Sequence, residues 1–494
     1  MRRFIIGILT TGVLTFVSVS CGEEFLEREN PNQIGINNFY QTPEDAISAV
    51  NGAYTALHNR EFYKRQIYAL EYLSGDFAIT QGGFQYANLL GFNFTSLEDN
   101  LVSSTWNGSY TGITRANAVI NQLPDAPINE ELKERVIGEA RFLRAVYYFH
   151  LVTFYGGVPI VERQITDSND PLIRPARNSE EEVWSYIEQD LTAALAVLPN
   201  KGEYSDAELG RATAGAAAGF LGKAHLYQEE YQAARDIFER LIDGEFGAYE
   251  LVENYEDNFT DANENNQESV FEVQFSELGG SVWAADDLGQ GSETTYVGTE
   301  FGPKRFGNSY PSDEVNAFFD AHPEDSIRRL YTIARPGDSW GSWDTVKVSD
   351  WNQRIPNAGG STAWRKWNLG NDETLLRSEI NYRLMRFADV LLMFAEAENE
   401  VNGPTAAAYE AINRVRARAE VPPLSEGLSQ EGFLEAIKDE RRLEMTFELT
   451  RYFDLIRWGD GEEMPGYDPA RNRYFPIPQT EIELNPNLEQ NPGW

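Results

Sequence analysis

Ser339, within Gly337-Asp338-Ser339-Trp340-Gly341, has the spelling of a nucleophile elbow, the sharp turn that lifts a serine hydroxyl for acyl chemistry. That turn needs a strand before it and a helix after, and Arg335-Pro336 and Trp343-Asp344-Thr345-Val346 read as neither. All four histidines (His58, His150, His225 and His322) precede Ser339, which closes off the Ser, acid, His order of that fold. They are scattered, and each reads as a helix-packing residue. Asp261, Asn263, Asn265 and Glu272 match the first, third, fifth and twelfth positions of a calcium loop. The sixth is Asn266 where that loop needs Gly, and the exit runs into a strand, so the segment reads as a polar turn. The 78 acidic residues offer many carboxylate pairs for glycoside hydrolysis, and the sequence singles out none.

A different chemistry is written in the aromatic residues of polar loops. Sugar rings lay apolar C–H faces on Trp and Tyr, while Asn, Asp, Gln and Arg take the hydroxyls. Phe84, Tyr86, Trp283, Trp340 and Trp343 stand beside Gly, Ser, Asp or Gln, outside apolar periodic runs. The same residues would serve a purely structural end if they plugged loops onto a scaffold. Trp106, Trp184, Trp364, Trp367 and Trp458 read as packing residues.

The elements that would hold such loops are helical pairs. In Thr213 to Asp243, Ala234, Ile237, Phe238, Leu241 and Ile242 share one face, and Ala217, Gly222 and Ala224 allow a second helix close approach. Leu221-Gly222, Ala234 and Phe238 stand at tetratricopeptide spacing, and such a pair must stack on others to cover its apolar face. Thr42 to His58 with Trp106 to Gln122, Glu130 to Tyr155 with Ser179 to Leu198, and Asn381 to Val401 with Pro404 to Ala419 supply the other three pairs. From Glu245 to Leu376 periodicity fades except in Val270 to Phe275, which alternates as a strand does. The expectation is a mainly α chain: four tetratricopeptide-like pairs carrying a loop-rich irregular region with a few short strands.

The chain holds 41 basic and 78 acidic residues, a net charge of −37, which repels nucleic acid and anionic headgroups. Its 13% aromatic content belongs to a folded protein. The only cysteine is Cys21, so no internal disulfide or cysteine-rich metal site is expected. Arg2-Arg3 and the apolar run Phe4 to Val19 read as a signal segment ending at Ser20, and Val19-Ser20-Cys21-Gly22 resembles a bacterial lipoprotein signal that leaves Cys21 acylated. Ser18 stands where such signals more often carry Leu.

Several stretches together resemble the SusD/RagB family, surface glycan-binding lipoproteins of Bacteroidetes. They are Glu440-Arg441-Arg442-Leu443-Glu444-Met445, Arg451-Tyr452-Phe453-Asp454-Leu455-Ile456-Arg457-Trp458-Gly459, Tyr474-Phe475-Pro476-Ile477-Pro478, and the Asn485 to Trp494 ending. Arg386 to Ala397, Glu139 to Ala145 and Cys21 with Phe25-Leu26 extend the likeness over nearly the whole chain. Leu449-Thr450 replaces a pair the family usually fills with Gly and a polar residue, and Trp494 stands where Tyr is commoner. The resemblance implies four helix pairs facing a SusC-like TonB-dependent outer-membrane transporter, and binding of oligo- or polysaccharide without cleavage. It places the protein on the outer membrane, lipid-anchored through Cys21 and facing the exterior, with no cofactor or metal. It puts glycan contacts near Asp76 to Tyr86 and in the irregular region near Trp283 to Trp351. Within those regions the residues expected at the glycan are Asp76, Phe84, Tyr86, Trp283, Tyr296, Trp340, Trp343 and Trp351. A neutral glycan is expected unless Lys304, Arg328, Arg329 and Arg335 gather as a basic patch. The expected organisation is a signal peptide over 1–20, helical regions over 21–244 and 377–494, and ligand-binding loops over 245–376. A surface-tethered glycoside hydrolase and a protein-assembly scaffold are the alternatives.

Overall fold

The computed structural model describes residues 39–60, 62–79, 86–95, 100–165, 169–276, 293–302, 307–339, 362–367 and 378–494. Helix α1 (Pro43–Tyr54) begins where its cap demands. The Thr42 hydroxyl accepts the Asp45 N–H at 3.2 Å and the Asp45 carboxylate accepts the Thr42 N–H at 2.8 Å, with Pro43 in the first turn. α1 buries Ala46, Val50 and Ala53 against α2 (Asn100–Gln122) and α3 (Glu130–Tyr155), and the Tyr147 hydroxyl donates to the Ala53 carbonyl at 2.7 Å. Gly112 makes the α2–α3 seam possible, because a Cβ there would lie 2.2 Å from the Tyr147 ring.

Ser179 and Glu182 form a second capping box, starting α4 (Glu180–Leu195), which packs on α3. α5 (Ala214–Tyr227) and α6 (Tyr231–Ile242) follow, with Ala217, Leu221, Ala224, Ala234 and Phe238 buried between them and their neighbours. The packing then runs from α4 to α5, α5 to α6, and α6 to α10 (Phe387–Asn402), whose partner is α11 (Ala406–Arg418). Four stacked helix pairs are thus present, as the spacing predicts.

Between α6 and α10 lie α7 (Val297–Phe301), α8 (Asp313–Asp320) and α9 (Ser326–Thr332). They are accompanied by short antiparallel ribbons: β1 (Phe77–Ile79) with β3 (Ser309–Pro311), β2 (Ser269–Val273) with β6 (Tyr382–Arg386), and β4 (Ile333–Ala334) with β5 (Ala363–Trp364). β6 corrects one expectation: the helix read from Asn381 begins only at Phe387. Residues 382–386 pair along β2 from Val273↔Tyr382 to Ser269↔Arg386, and the Phe387 N–H donates to the Glu268 carbonyl at 2.8 Å. Tyr382, Arg383, Met385 and Arg386 are all buried, so both faces of the strand are covered and its period-two signal is erased. α12 (Gln430–Met445) packs on α10, and α13 (Arg451–Trp458) and α14 (Gln479–Leu484) follow it as the last of the described helices. Among the described residues no helix is long and apolar enough to cross a membrane.

Candidate functional site

Five of the expected glycan contacts, Phe84, Trp283, Trp340, Trp343 and Trp351, lie outside the described residues, as does Cys21. The bases of the segments that carry them are described, and they are tied to one another. Ile79, before segment 80–85, pairs with Ser309. Segment 277–292 is closed at its base by the Ser276 N–H donating to the Glu293 carbonyl at 3.0 Å. Arg365, four residues past segment 340–361, donates to the Ser339 carbonyl at 2.9 Å. The Thr295 N–H donates to the Ser378 carbonyl at 2.8 Å, which joins the base of segment 277–292 to the end of segment 368–377.

Beneath these bases is an aromatic floor. Phe77 stacks on Trp364 at 4.3 Å and meets Phe301 edge-on at 5.7 Å, Tyr72 stacks on Tyr86 at 4.9 Å, and the Trp367 indole donates to the Phe447 carbonyl at 2.8 Å. Trp364 and Trp367 are packing residues, as their setting predicts.

The three expected contacts that are described belong to this floor. Asp76 is 1% exposed, accepts from the Arg442 guanidinium at 2.6 Å, and its carbonyl accepts the Ser312 N–H at 2.8 Å. The Tyr86 hydroxyl donates to Glu300 at 2.9 Å, and Glu300 is held by Arg65 at 3.1 Å and by Asn308 at 2.5 Å. Tyr296 is fully buried, its N–H on the Lys64 carbonyl at 3.0 Å and the Arg65 guanidinium 5.8 Å from its ring. This corrects the expectation that these three display themselves to a ligand: each has its polar atoms or ring committed within the chain. Lys304 lies outside the described residues, and the three arginines that could have joined it in a basic patch are each paired with carboxylates. Arg328 is buried against Asp325 and Glu440, Arg329 pairs with Asp338 at 2.6 Å, and Arg335 with Asp320 at 2.6 Å.

Under the floor lies a buried ion network that sequence reasoning missed as a unit. Arg386, at the end of β6, reaches Glu448 at 2.7 Å, Glu268 at 2.6 Å and Glu444 at 2.7 Å. Arg418 joins Glu268 at 3.2 Å and Glu444, Arg328 joins Glu440 at 2.7 Å and Glu444 at 3.2 Å, and Lys366 joins Glu448 at 2.8 Å. Arg416 closes the rim on Glu440 at 2.6 Å. With Asp325 on Arg328, five cations face five carboxylates, so the buried cluster is neutral. Burial alone would raise the Glu444 carboxyl, but the guanidiniums of Arg418, Arg386 and Arg328 outweigh it and hold it well below the ordinary range. Burial lowers the Lys366 ammonium to about 8 against the pull of Glu448. Such a neutral cluster of mutually paired charges fixes the relative placement of the segments that carry them.

The remaining chemical patterns also resolve into structure. Asp338, next to Ser339, is occupied by Arg329 and by the Arg335 N–H at 2.8 Å. Glu272 of the calcium-like pattern is buried against Arg383 at 3.2 Å and accepts from Asn381 at 3.0 Å. His150 is packed in the core, with its Nε2 2.5 Å from the Tyr63 hydroxyl and its Nδ1 2.7 Å from the Val146 carbonyl, and burial lowers it to about 4. Among the described residues Glu188, His225 and Glu230 form the one trio of metal-type side chains with a ligand atom each within 4.8 Å of the others. Glu230 already meets the imidazole at 2.6 Å and Gln228 holds Glu188 at 2.6 Å, so the trio is satisfied within the chain.

Comparison with known proteins converges on one family. Residues 245–473 and 466–494 match the model of the SusD family, and residues 24–226 match a model described as starch-binding associating with outer membrane. The chain is 30% identical to SusD-like protein P25 of Formosa agariphila over 96% of both chains. A crystal structure of a SusD homolog from Bacteroides thetaiotaomicron superposes with a TM-score of 0.81 at 25% identity, covering 96% of this chain and all of that one. A laminarin binding SusD-like protein superposes with a TM-score of 0.77 at 26% identity, over 92% of this chain and all of that one. Stacked helix pairs, loop bases gathered on one aromatic floor and matches along the whole length lead to a single assignment: the chain belongs to the SusD family.

Proposed function

We propose that this protein binds oligo- or polysaccharide without cleaving it and passes it to a SusC-like TonB-dependent transporter. In this reading it stands on the outer membrane, facing the exterior, anchored by acyl chains on Cys21. The observation that carries the reading is the convergence of four loop bases on one rigid floor, in a chain similar to a laminarin binding protein. Gathering the bases of several loops on one floor places their side chains within reach of one ligand, and flat aromatic faces suit capture of sugar rings. Phe84, Trp283, Trp340, Trp343 and Trp351 are the proposed stacking residues, and Asp76, Tyr86 and Tyr296 hold the loops that bear them.

Affinity electrophoresis of the purified chain against a panel of neutral polysaccharides, including starch and laminarin, tests this. Retardation by at least one polymer with no new reducing ends is expected, and Trp340→Ala with Trp343→Ala should weaken it about tenfold or more, from stacking of roughly 1–1.5 kcal/mol per ring. Migration unchanged by every polymer would overturn the reading, and release of reducing ends with turnover would replace it with a hydrolase. Cys21→Ala is expected to release the protein from the membrane fraction of its host.

A further inference from the structure

A cleft of about 640 Å³ opens in the helical scaffold, between α3, α4, the α5–α6 turn and α13. No residue of 245–376 lines it, so it is separate from the loop platform. Its walls carry six aromatic rings: Trp184, Tyr227, Tyr231, Phe453, Trp458 and Tyr474. Some polar groups there are already engaged. The Trp458 indole donates to Glu396 at 2.9 Å, Arg457 grips the same carboxylate at 2.7 Å, and the Tyr474 hydroxyl donates to Glu180 at 2.5 Å. These contacts fix the walls. Others are open: among the described residues the Tyr227 and Tyr231 hydroxyls and the Glu229 carboxylate make no side-chain hydrogen bond, although all three residues line the cleft.

Rigid rings beside unengaged hydroxyl and carboxylate acceptors match a ligand with flat C–H faces and many hydroxyls. Three carboxylates (Glu180, Glu229, Glu396) against two guanidiniums (Arg457, Arg473), within a chain of net charge −37, disfavour an anionic one. We propose that this cleft is a second carbohydrate subsite, taking one end of a neutral glycan while the loop platform takes another part or another chain. The inference rests on the glycan-binding reading above and adds a site that the reading does not need.

Isothermal titration of the purified chain with neutral hexaoses derived from starch and from laminarin separates the two. Two classes of site are expected for the hexaose that binds. Tyr231→Ala and, on an exposed side chain that leaves folding intact, Glu229→Gln should each weaken one class about tenfold. Trp340→Ala with Trp343→Ala should weaken the other and leave the cleft class in place. If both cleft variants titrate as the parent does while the loop variants abolish binding, the second subsite is overturned and the glycan reading stands. If the parent binds neither hexaose and is retarded by no polymer, both fall.

Discussion

Glu71 sits beneath the loop bases with 2% of its surface exposed, and its carboxylate accepts the Leu449 N–H at 2.6 Å. Burial pushes its carboxyl from the ordinary 4.5 up to about 8, against the Leu449 N–H and with the charge of Asp76 adding to the rise. The folded chain therefore holds a proton that the unfolded chain releases between pH 4.5 and about 8. The stability this group contributes is present below pH 4.5 and is lost as pH rises through that window. At about 1.4 kcal/mol for each tenfold change in proton affinity, the ceiling on that loss is about 5 kcal/mol. Glu71→Gln keeps an acceptor for Leu449 and removes the ionisation, at a cost of roughly 1–3 kcal/mol if its new N–H groups lack a partner. The variant should then be about 0–2 kcal/mol less stable than the parent at pH 5 and about 1–3 kcal/mol more stable at pH 8. Urea unfolding followed by tryptophan fluorescence at both pH values reads this directly. Taking the difference between the two proteins cancels other groups, such as Glu264, raised by burial to about 7, and His150, lowered by burial to about 4. Parallel stability curves for parent and variant from pH 5 to 8 would refute the reasoning.

Gly222→Ala would place a Cβ 2.6 Å from the Phe238 ring in the α5–α6 seam, and a loss of about 1–3 kcal/mol is expected, read as a lower unfolding midpoint. Arg442→Met leaves Asp76 buried without its 2.6 Å partner, which should cost about 3–5 kcal/mol in urea unfolding at pH 7. Leu449 stands at φ 59°, so Leu449→Gly relieves left-handed strain while removing a packed side chain and should change stability by under about 1 kcal/mol. Leu449→Val, β-branched at the same φ, should lose about 2 kcal/mol or more in the same assay.

The helix pairs are legible in the sequence because their signals are local. Thr42-Pro43 with Asp45 and Ser179 with Glu182 act within a few positions of themselves, and Gly222 meets Phe238 across a single short turn. Leu449, read as a departure where the family usually has Gly, is also explained locally, since its backbone is left-handed. The candidate site is less legible because its decisive contacts are distant. Asp76 meets Arg442 across 366 residues, and Tyr86 meets Glu300 across 214. An aromatic or an acid in a polar loop has the same neighbours in sequence whether it points outward or into a floor, so the burial of Asp76, Tyr86 and Tyr296 was not legible there. The run Glu440-Arg441-Arg442-Leu443-Glu444 has the charge content of a solvated helix face, yet Glu440, Arg441 and Glu444 are buried, because their opposite charges arrive from α9, α10, α11 and β6.

That arrival is the physical reason the loops have a common base. Taking ten charges out of water costs several kcal/mol for each, and their mutual attraction recovers this only when every partner is in place. An apolar filling of the same volume would be at least as stable, but it would accept small slips of one segment past another. Arg386 accepts none: its guanidinium must meet Glu268 before β2, Glu444 in α12 and Glu448 after it at once, and each carboxylate is shared with a further cation. The same carboxylates bring in α9 through Arg328 and the stretch just after β5 through Lys366, which lie on the two sides of segment 340–361. The network therefore ties α9 and the stretch after β5, on either side of segment 340–361, to the helical scaffold. The described ends of segment 340–361 thus take their relative placement from charges that are buried.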